Sequence, residues 1–488
     1  MDHKENKRSL WKSVVFYKYQ KHVTVSTIGS TTESAEEIDD KVVYVEDLEK
    51  RKQVYGICGD CNEPGTGEYW CQPCNTKRFK DNFKNWTSGN KDIDEFIQQS
   101  QLNAVYYKKY LEWIPFENFK DVTYITRGGF GKIYSAEWPE GYIYHWDIEN
   151  QKWYRISDTK VALKSLDNSS CISTEFLNEI KIHLQIYLLD VIQCYGITQD
   201  PNTKDYMMVL EYCEDGNLRN YYMNHESDYY SKIDKLSQIA RGLLDIHNAG
   251  RIHKDIHSGN ILYYNDNFPY ISDLGMCQPA NNENQSVKQE GIYGVLPYMA
   301  PEVLRGYQYT KASDIYSFGI MMNEYISEET PYNNIPHNHA LAIKICKGLR
   351  PNIFKYTPKL LADLITNCWD AKAENRPTAK ELYQTLINKY NDRYEDSDTE
   401  SQVNEYNDKI KLNRTSEKRS NNIQTHPQAI YTSRLLNFKN LPEPVNSDIT
   451  KTTLHSECFD CQLDELVKLI KMKKIILNDF FFMRIKRI

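Results

Sequence analysis

Residues Ile252–Leu262 read I-H-K-D-I-H-S-G-N-I-L, and this stretch decides how the rest of the chain is read. It sets one acid, Asp255, and one amide, Asn260, five residues apart, with apolar residues at both ends. Eleven residues beyond Leu262 a second acid opens Asp273-Leu274-Gly275. Phosphoryl transfer needs one carboxylate facing the attacking hydroxyl. It also needs an amide and a second carboxylate to hold the metal that neutralises phosphate charge. An isolated H-x-D means little, so the other parts must occur elsewhere in the right order.

Working upstream, Tyr206–Tyr212 (Y-M-M-V-L-E-Y) is an apolar strand that runs into Cys213-Glu-Asp-Gly216. A strand ending in a short connector suits a hinge between two lobes. Backbone groups at Glu211 and Cys213 there are placed to bond an adenine edge. Val161-Ala-Leu-Lys164 is an apolar strand with one inward lysine. A buried ammonium must be paired, and Glu179, in the helical stretch Ser173–Leu188, is the natural partner. Further upstream, a strand over Val122–Ile125, the turn Thr126-Arg-Gly-Gly-Phe-Gly131 and a strand over Ile133–Ala136 let backbone amides approach phosphate oxygens. Strand, turn, strand argues against a dinucleotide fold, where a helix would follow the turn. Between Trp138 and Thr159 the alternating aromatics predict an inserted hairpin with cross-strand packing. Downstream of the hinge, Ile233, Leu236, Ile239, Ala240, Leu243 and Leu244 form the apolar stripe of a long helix in a larger helical lobe.

These elements, followed by Ala300-Pro-Glu302, Asp314 and Arg376, resemble the eukaryotic protein-kinase family over about residues 117–390. Within it the chain is most similar to the tyrosine-kinase-like group of Ser/Thr kinases. It also resembles a fungal set carrying a cysteine-paired segment and a W-T-S-G-N stretch, here Trp86–Asn90. The resemblance implies an α+β, two-lobed fold: a small N-lobe with a β-sheet and one helix, and a larger helical C-lobe. It implies a protein kinase that transfers the γ-phosphate of ATP to Ser/Thr hydroxyls of protein substrates in intracellular signalling.

Residue by residue, it makes Asp255, Lys164 and Asn260 catalytic. It gives Asn260 and Asp273 the magnesium, with manganese as a substitute. It lines the nucleotide with Ile125, Thr126, Gly128, Gly129, Phe130, Gly131, Ile133, Ala162, Lys164, Glu211, Cys213, Leu262 and Asp273, with Leu210 as gatekeeper. Glu302 with Arg376, Asp314, and Glu179 are pairing residues of the scaffold, and His253 is a packed residue rather than an acid or base.

Three features depart from the family pattern, the third at two positions. The usual H-R-D arginine is Lys254, a point charge where arginine grips a loop phosphate in two places. This puts activation through the 276–299 loop, which carries Ser286 and Tyr293, in question. D-F-G reads D-L-G. The lysine and threonine that Ser/Thr kinases pair near the base are His257 and Val295. A tyrosine or dual-specificity kinase therefore stays open as an alternative. So does a pseudokinase scaffold in which the zinc module and the kinase fold bind partners.

The N-terminal part has its own logic. Cys58-Gly-Asp-Cys61 and Cys71-Gln-Pro-Cys74 are two C-x-x-C turns around Pro64-Gly65-Thr66-Gly67. Paired turns of this kind close a four-thiolate zinc site, structural because no position is left for substrate. The expected organisation is a partly flexible extension (1–50), a four-cysteine zinc-ribbon-like module (51–90) and an amphipathic helix with a docking segment (91–116). The kinase domain (117–390), a disordered linker (391–430) and a C-terminal tail with a short helix (431–488) follow. Asp92-x-x-Glu95 reads as the capping box of the amphipathic helix. Cys458 and Cys461 lack a second pair, and Leu463–Ile475 reads as a short basic helix.

Charged residues at 26% and a net charge of −7 argue for a globular protein without a global field for nucleic acid. No apolar run reaches the roughly 18 residues of a spanning helix, and Met1–Lys12 has no signal-peptide core. The expectation is a cytoplasmic protein whose cysteines are reduced. A protein partner is expected through the zinc module or the tail.

Overall fold

The computed structural model describes residues 10–12, 23–24, 43–127, 131–166, 174–186, 190–265, 268–280, 291–391, 397–415 and 425–446. Three two-residue strands come first: β1 (Leu10–Trp11), β2 (Val23–Thr24) and β3 (Val43–Tyr44). Helix α1 (Leu48–Tyr55) is capped by Asp47, whose carboxylate accepts the Lys50 N–H at 2.9 Å. Strand β4 (Gly56–Ile57) leads into the first cysteine turn and pairs with β1. Helix α2 (Gln72–Asn82) starts at the second cysteine turn, and α3 (Lys91–Asn103) packs against it.

The cap of α3 corrects the sequence reading. Asn90, not Asp92, is the N-cap, accepting the N–H groups of Asp92 at 2.9 Å and Ile93 at 3.4 Å. Asp92 lies inside the first turn. Asp94 instead reaches back to the W-T-S-G-N turn and accepts from Ser88 N–H at 2.7 Å and Thr87 Oγ1 at 2.6 Å. Asparagine is an excellent cap, while Asp92 and Glu95 only fit the capping-box spacing.

The N-lobe is a six-stranded sheet with one helix. Its strands are β5 (Glu112–Trp113), β6 (Lys120–Arg127), β7 (Gly131–Trp138), β10 (Thr159–Leu166), β11 (Cys194–Gln199) and β12 (Tyr206–Glu211). The order is β5-β11-β12-β10-β7-β6, antiparallel except for β5 on β11. The docking segment thus adds an edge strand to this sheet. Strands β8 (Tyr142–Asp147) and β9 (Lys152–Ile156) form the inserted hairpin, with Trp146 opposite Trp153. Its aromatics also reach outside the hairpin. Trp153 stacks on Phe79 of α2 and on Trp70, with centroids 5.0 and 6.1 Å away. Helix α4 (Thr174–Gln185) presents Phe176 and Ile180 to Ile93 and Ile97 of α3 and to Leu111 in one apolar cluster.

The C-lobe follows the hinge. It contains α5 (Leu218–Asn224), α6 (Tyr229–Asn248), β13 (Arg251–Ile252), β14 (Ile261–Tyr264), β15 (Phe268–Ile271), β16 (Gln278–Pro279) and β17 (Ile292–Gly294). The helices α7 (Pro301–Leu304), α8 (Lys311–Ser327), α9 (His339–Cys346), α10 (Lys359–Cys368) and α11 (Ala379–Asn391) complete the bundle. The stripe of α6 and nearly all of α8 are buried in the largest core cluster.

The linker expected over 391–430 is instead partly helical: α12 spans Ser397–Thr415. It buries Val403, Tyr406 and Ile410, spaced three and four residues apart. Tyr406 hydroxyl donates to Ile326 O at 2.7 Å, and Arg414 pairs with Glu328. Beyond it, residues 425–445 lie on the C-lobe and include β18 (Arg434–Leu436). Cys458, Cys461, Leu463–Ile475 and Ser286 lie outside the described residues. Among the described residues, no helix is long and apolar enough to cross a membrane.

Candidate active site

Strand β10 is central in the sheet, so alternate side chains face the cleft below it. Lys164 is buried there, with Nζ 2.7 Å from Glu179 Oε1 and 2.9 Å from Asp273 Oδ1. Burial disfavours its charge, but Asp273 and Glu179 outweigh that and keep it protonated, above the ordinary lysine range. Burial likewise pushes on Asp273, yet the Lys164 ammonium holds that carboxyl below its usual value. Gly275 makes this approach feasible: a Cβ there would lie 2.9 Å from Glu179 Oε2. The pair thus joins β10, α4 and the D-L-G turn, with Leu274 fully buried beneath.

The loop between β13 and β14 is held by one carboxylate from α8. Asp314 Oδ2 accepts the His253 N–H at 2.8 Å and Oδ1 the Lys254 N–H at 2.9 Å, while His247 Nε2 lies 2.9 Å from Oδ2. These bonds maintain Lys254 at φ +73°, a left-handed conformation that a lysine rarely adopts. His253 Nδ1 accepts the Asp255 N–H at 3.2 Å, so its proton sits on Nε2, 3.1 Å from Ser272 O. With both ring nitrogens engaged and burial lowering its pKa, it is a neutral packing residue.

Asp255 is buried and polar contacts converge on it. Asn260 Nδ2 donates to Asp255 O at 2.9 Å and to Oδ2 at 3.2 Å. His257 Nδ1 accepts the Gly259 N–H at 3.0 Å, which puts the ring proton on Nε2, 3.5 Å from Asp255 Oδ2. Burial works against the charge of Asp255, but His257 and then Ser433 outweigh it and hold the carboxyl below its ordinary value. The Ser433 hydroxyl donates to Asp255 Oδ2. Ser433 was invisible to sequence reasoning, since nothing distinguishes one serine in a polar tail. Also missed was the network below the loop, where Arg219 donates to Glu324 Oε1 at 3.1 Å, Ser258 Oγ at 3.1 Å and Tyr298 hydroxyl at 2.9 Å.

Ala162 lies between Leu210 of β12 and Ser135 of β7, and Ile133 lies opposite Lys164. Thr126 pairs with Ile133 across the β6–β7 turn, and Ile125 is exposed. Gly131 must be glycine, because a Cβ would meet Ser165 O at 1.8 Å. Gly128, Gly129 and Phe130 lie outside the described residues. The Glu211 N–H is taken by Gln193 O at 2.9 Å, and the Cys213 carbonyl accepts the Gly216 N–H at 3.4 Å. Leu262 is half-buried on β14, and Cys213 is buried. Arg376 grips Glu302 with two bonds of 2.7 and 2.8 Å.

The four cysteines form a second site. Their sulfurs lie within 4.8 Å of one another, with Cys61–Cys71 at 3.7 Å and Cys58–Cys74 at 3.9 Å. Four sulfurs at about 2.3 Å from a tetrahedral zinc would stand about 3.8 Å apart, so the set fits that ion. Its neighbours, Cys71 foremost, hold the Cys58 thiol below its ordinary value.

A family model described as protein tyrosine and serine/threonine kinase matches residues 119–386. The chain belongs to that family. Of the kinase's curated relatives, a tyrosine-protein kinase of Girardia tigrina is 25% identical over 280 residues, covering 55% of this chain and 53% of the relative. A probable LIM domain-containing serine/threonine-protein kinase of Dictyostelium discoideum is 30% identical over 275 residues, 55% of this chain and 38% of the relative. A probable serine/threonine-protein kinase from the same organism is 29% identical over 267 residues, 50% of this chain and 17% of the relative. The chain thus spans about half or less of the length of these relatives, and their names divide between the two hydroxyl classes.

Proposed function

We propose that the chain is an ATP- and magnesium-dependent protein kinase acting on serine and threonine hydroxyls of protein substrates, as a cytoplasmic signalling enzyme of the tyrosine-kinase-like group. The observation that carries this reading is a serine hydroxyl donating to Asp255, in the same site where Lys164 bridges Glu179 and Asp273. Asp255 orients the acceptor hydroxyl and takes its proton. Lys164 binds the phosphates, and its pairing to Glu179 fixes its reach. Asn260 uses its amide nitrogen on Asp255, leaving its carbonyl oxygen, with Asp273, for magnesium. Bound there, the metal would neutralise charge on the phosphates. The hinge carbonyl of Glu211 and the Cys213 backbone suit the adenine edge, between Ile133, Ala162 and Leu262.

Lys254 supports a site organised without a loop phosphate. Its ammonium is engaged by Gln278 Oε1 at 3.1 Å and lies over the Tyr309 ring at 4.7 Å. The four cysteines would hold structural zinc. The module's aromatic face is used on the kinase's own inserted hairpin, which favours an intramolecular role over partner capture.

The test is phosphate transfer from labelled ATP to a mixed peptide library by the wild type and Asp255→Asn. Loss of a general base costs about 10²–10⁴-fold. Equal signal from the two proteins would remove the enzyme and leave a scaffold. Phosphotyrosine alone in the product would overturn the hydroxyl class.

A further inference from the structure

Residues 425–445 lie beyond the stretch that matches the family, yet they are tied closely to the C-lobe. The His337 N–H donates to Gln428 O at 3.0 Å, and the Ile430 N–H donates to His337 Nδ1 at 3.0 Å. Tyr431 hydroxyl donates to Pro331 O at 2.8 Å, and its ring lies 4.4 Å from the Arg219 guanidinium of the network under the catalytic loop. Arg434 donates to His337 O at 2.8 Å. Strand β18 pairs antiparallel with β17 just ahead of Ala300-Pro-Glu302, with Tyr293 opposite Leu435. Leu436 is buried in the C-lobe core, and Val445 N–H donates to Cys346 O at 3.0 Å. The strand register and the Tyr431 anchor together fix Ser433 between them, with its hydroxyl on Asp255.

We infer that residues 425–445 are an intramolecular substrate and that Ser433 is its phosphoacceptor, so that the unmodified segment closes the site to other polypeptides until the chain phosphorylates itself. The inference rests on the kinase reading above. In the step, Ser433 Oγ attacks the γ-phosphorus of ATP and the new O–P bond forms. The bond from that phosphorus to the β,γ-bridging oxygen breaks, ADP leaves with the electron pair, and the hydroxyl proton passes to the Asp255 carboxylate. The product phosphoserine carries about two negative charges next to Asp255, and like charges in a water-poor site repel strongly. The segment then leaves, and the strand edge of β17 is free for an external peptide.

The experiment uses the full chain, dephosphorylated and then given magnesium and ATP. Site occupancy is read by mass spectrometry across a wide dilution series, alongside transfer to a serine peptide. The expected result is phosphate on Ser433 with a first-order rate independent of protein concentration, absent in Ser433→Ala. Against Ser433→Ala, whose segment cannot be modified and stays seated, Arg434→Ala and Leu436→Asp, which unseat the strand by different contacts, should show a KM for the peptide about tenfold lower, as expected if the seated segment leaves only about a tenth of molecules open. Ser433 left bare while the wild type, but not Asp255→Asn, labels the peptide would overturn the inference and leave the kinase reading intact. A rate at Ser433 proportional to protein concentration would overturn the intramolecular assignment. Absence of transfer to any acceptor would instead sink the kinase reading itself.

Discussion

Histidine 183 offers a prediction whose size can be worked out in full. It sits on α4, one turn beyond Glu179, fully enclosed, with Nδ1 3.1 Å from Ile192 O. Burial, reinforced by the Lys164 charge, lowers its pKa from 6.5 to about 3. Between those values the unfolded chain binds a proton that the folded chain refuses. Stability therefore rises with pH across that window, is fully present above 6.5, and is lost as pH falls. From pH 7 to pH 5 the loss is governed by the unfolded value alone, because both conditions lie above the folded one. It comes to about 2 kcal/mol. For a kinase domain of about 270 residues that corresponds to a melting shift of roughly 3–4 °C. His183→Gln keeps a donor for Ile192 O and removes the titration. Thermal unfolding of both proteins at pH 7 and pH 5 should show the mutant losing about 2 kcal/mol less than the wild type. Identical losses would mean that the histidine is solvated or already charged in the folded state, and the packing argument around α4 would fail.

Three further perturbations test the scaffold. Ile97→Ala removes a fully buried side chain between α3 and α4 and should cost about 2–5 kcal/mol. Because α4 carries Glu179, the KM for ATP should rise in the same protein, and an unchanged KM would separate the two helices functionally. Asp314→Asn replaces one of two acceptor oxygens by a donor facing backbone N–H groups, so kcat should fall by roughly a hundredfold, the scale of a small misplacement of reacting groups. Elemental analysis of the purified chain should find about one zinc, lost together with free-thiol protection in Cys74→Ser. Four freely titrating thiols in the wild type would exclude the ion.

Local motifs were legible in the sequence where one short stretch carries the chemistry. Asp255, Asn260 and Asp273 lie within a few residues of turns that impose their geometry, and Lys164 is marked by the apolar strand around it. The docking of the N-terminal module was not legible. Trp153 meets Trp70 and Phe79, partners more than seventy residues away, and no local period announces such a contact. Helix α12 was missed because only Val403, Tyr406 and Ile410 mark its inner face within a polar segment, and its polar bonds run to Ile326 and Glu328. The α3 cap was misplaced by two residues for a simpler reason: the asparagine that does the work lay in a turn read only as a family signature. Ser433 gained its meaning from a strand register with β17 that spans 142 residues of chain between Tyr293 and Leu435.

The cluster in which Ile93, Ile97 and Leu111 meet Phe176 and Ile180 has a consequence for how the two ends of the N-terminal half communicate. The cysteine turns brace α2, α2 braces α3, and α3 forms one wall of the groove in which α4 sits. If metal at the four-sulfur turn shifts the affinity of the α4 side for nucleotide through this cluster, thermodynamic reciprocity requires nucleotide to shift the turn's affinity for metal by the same factor. Oxidant or chelator acting on Cys61, the exposed member of the set, would be read out some distance away as a change in nucleotide affinity.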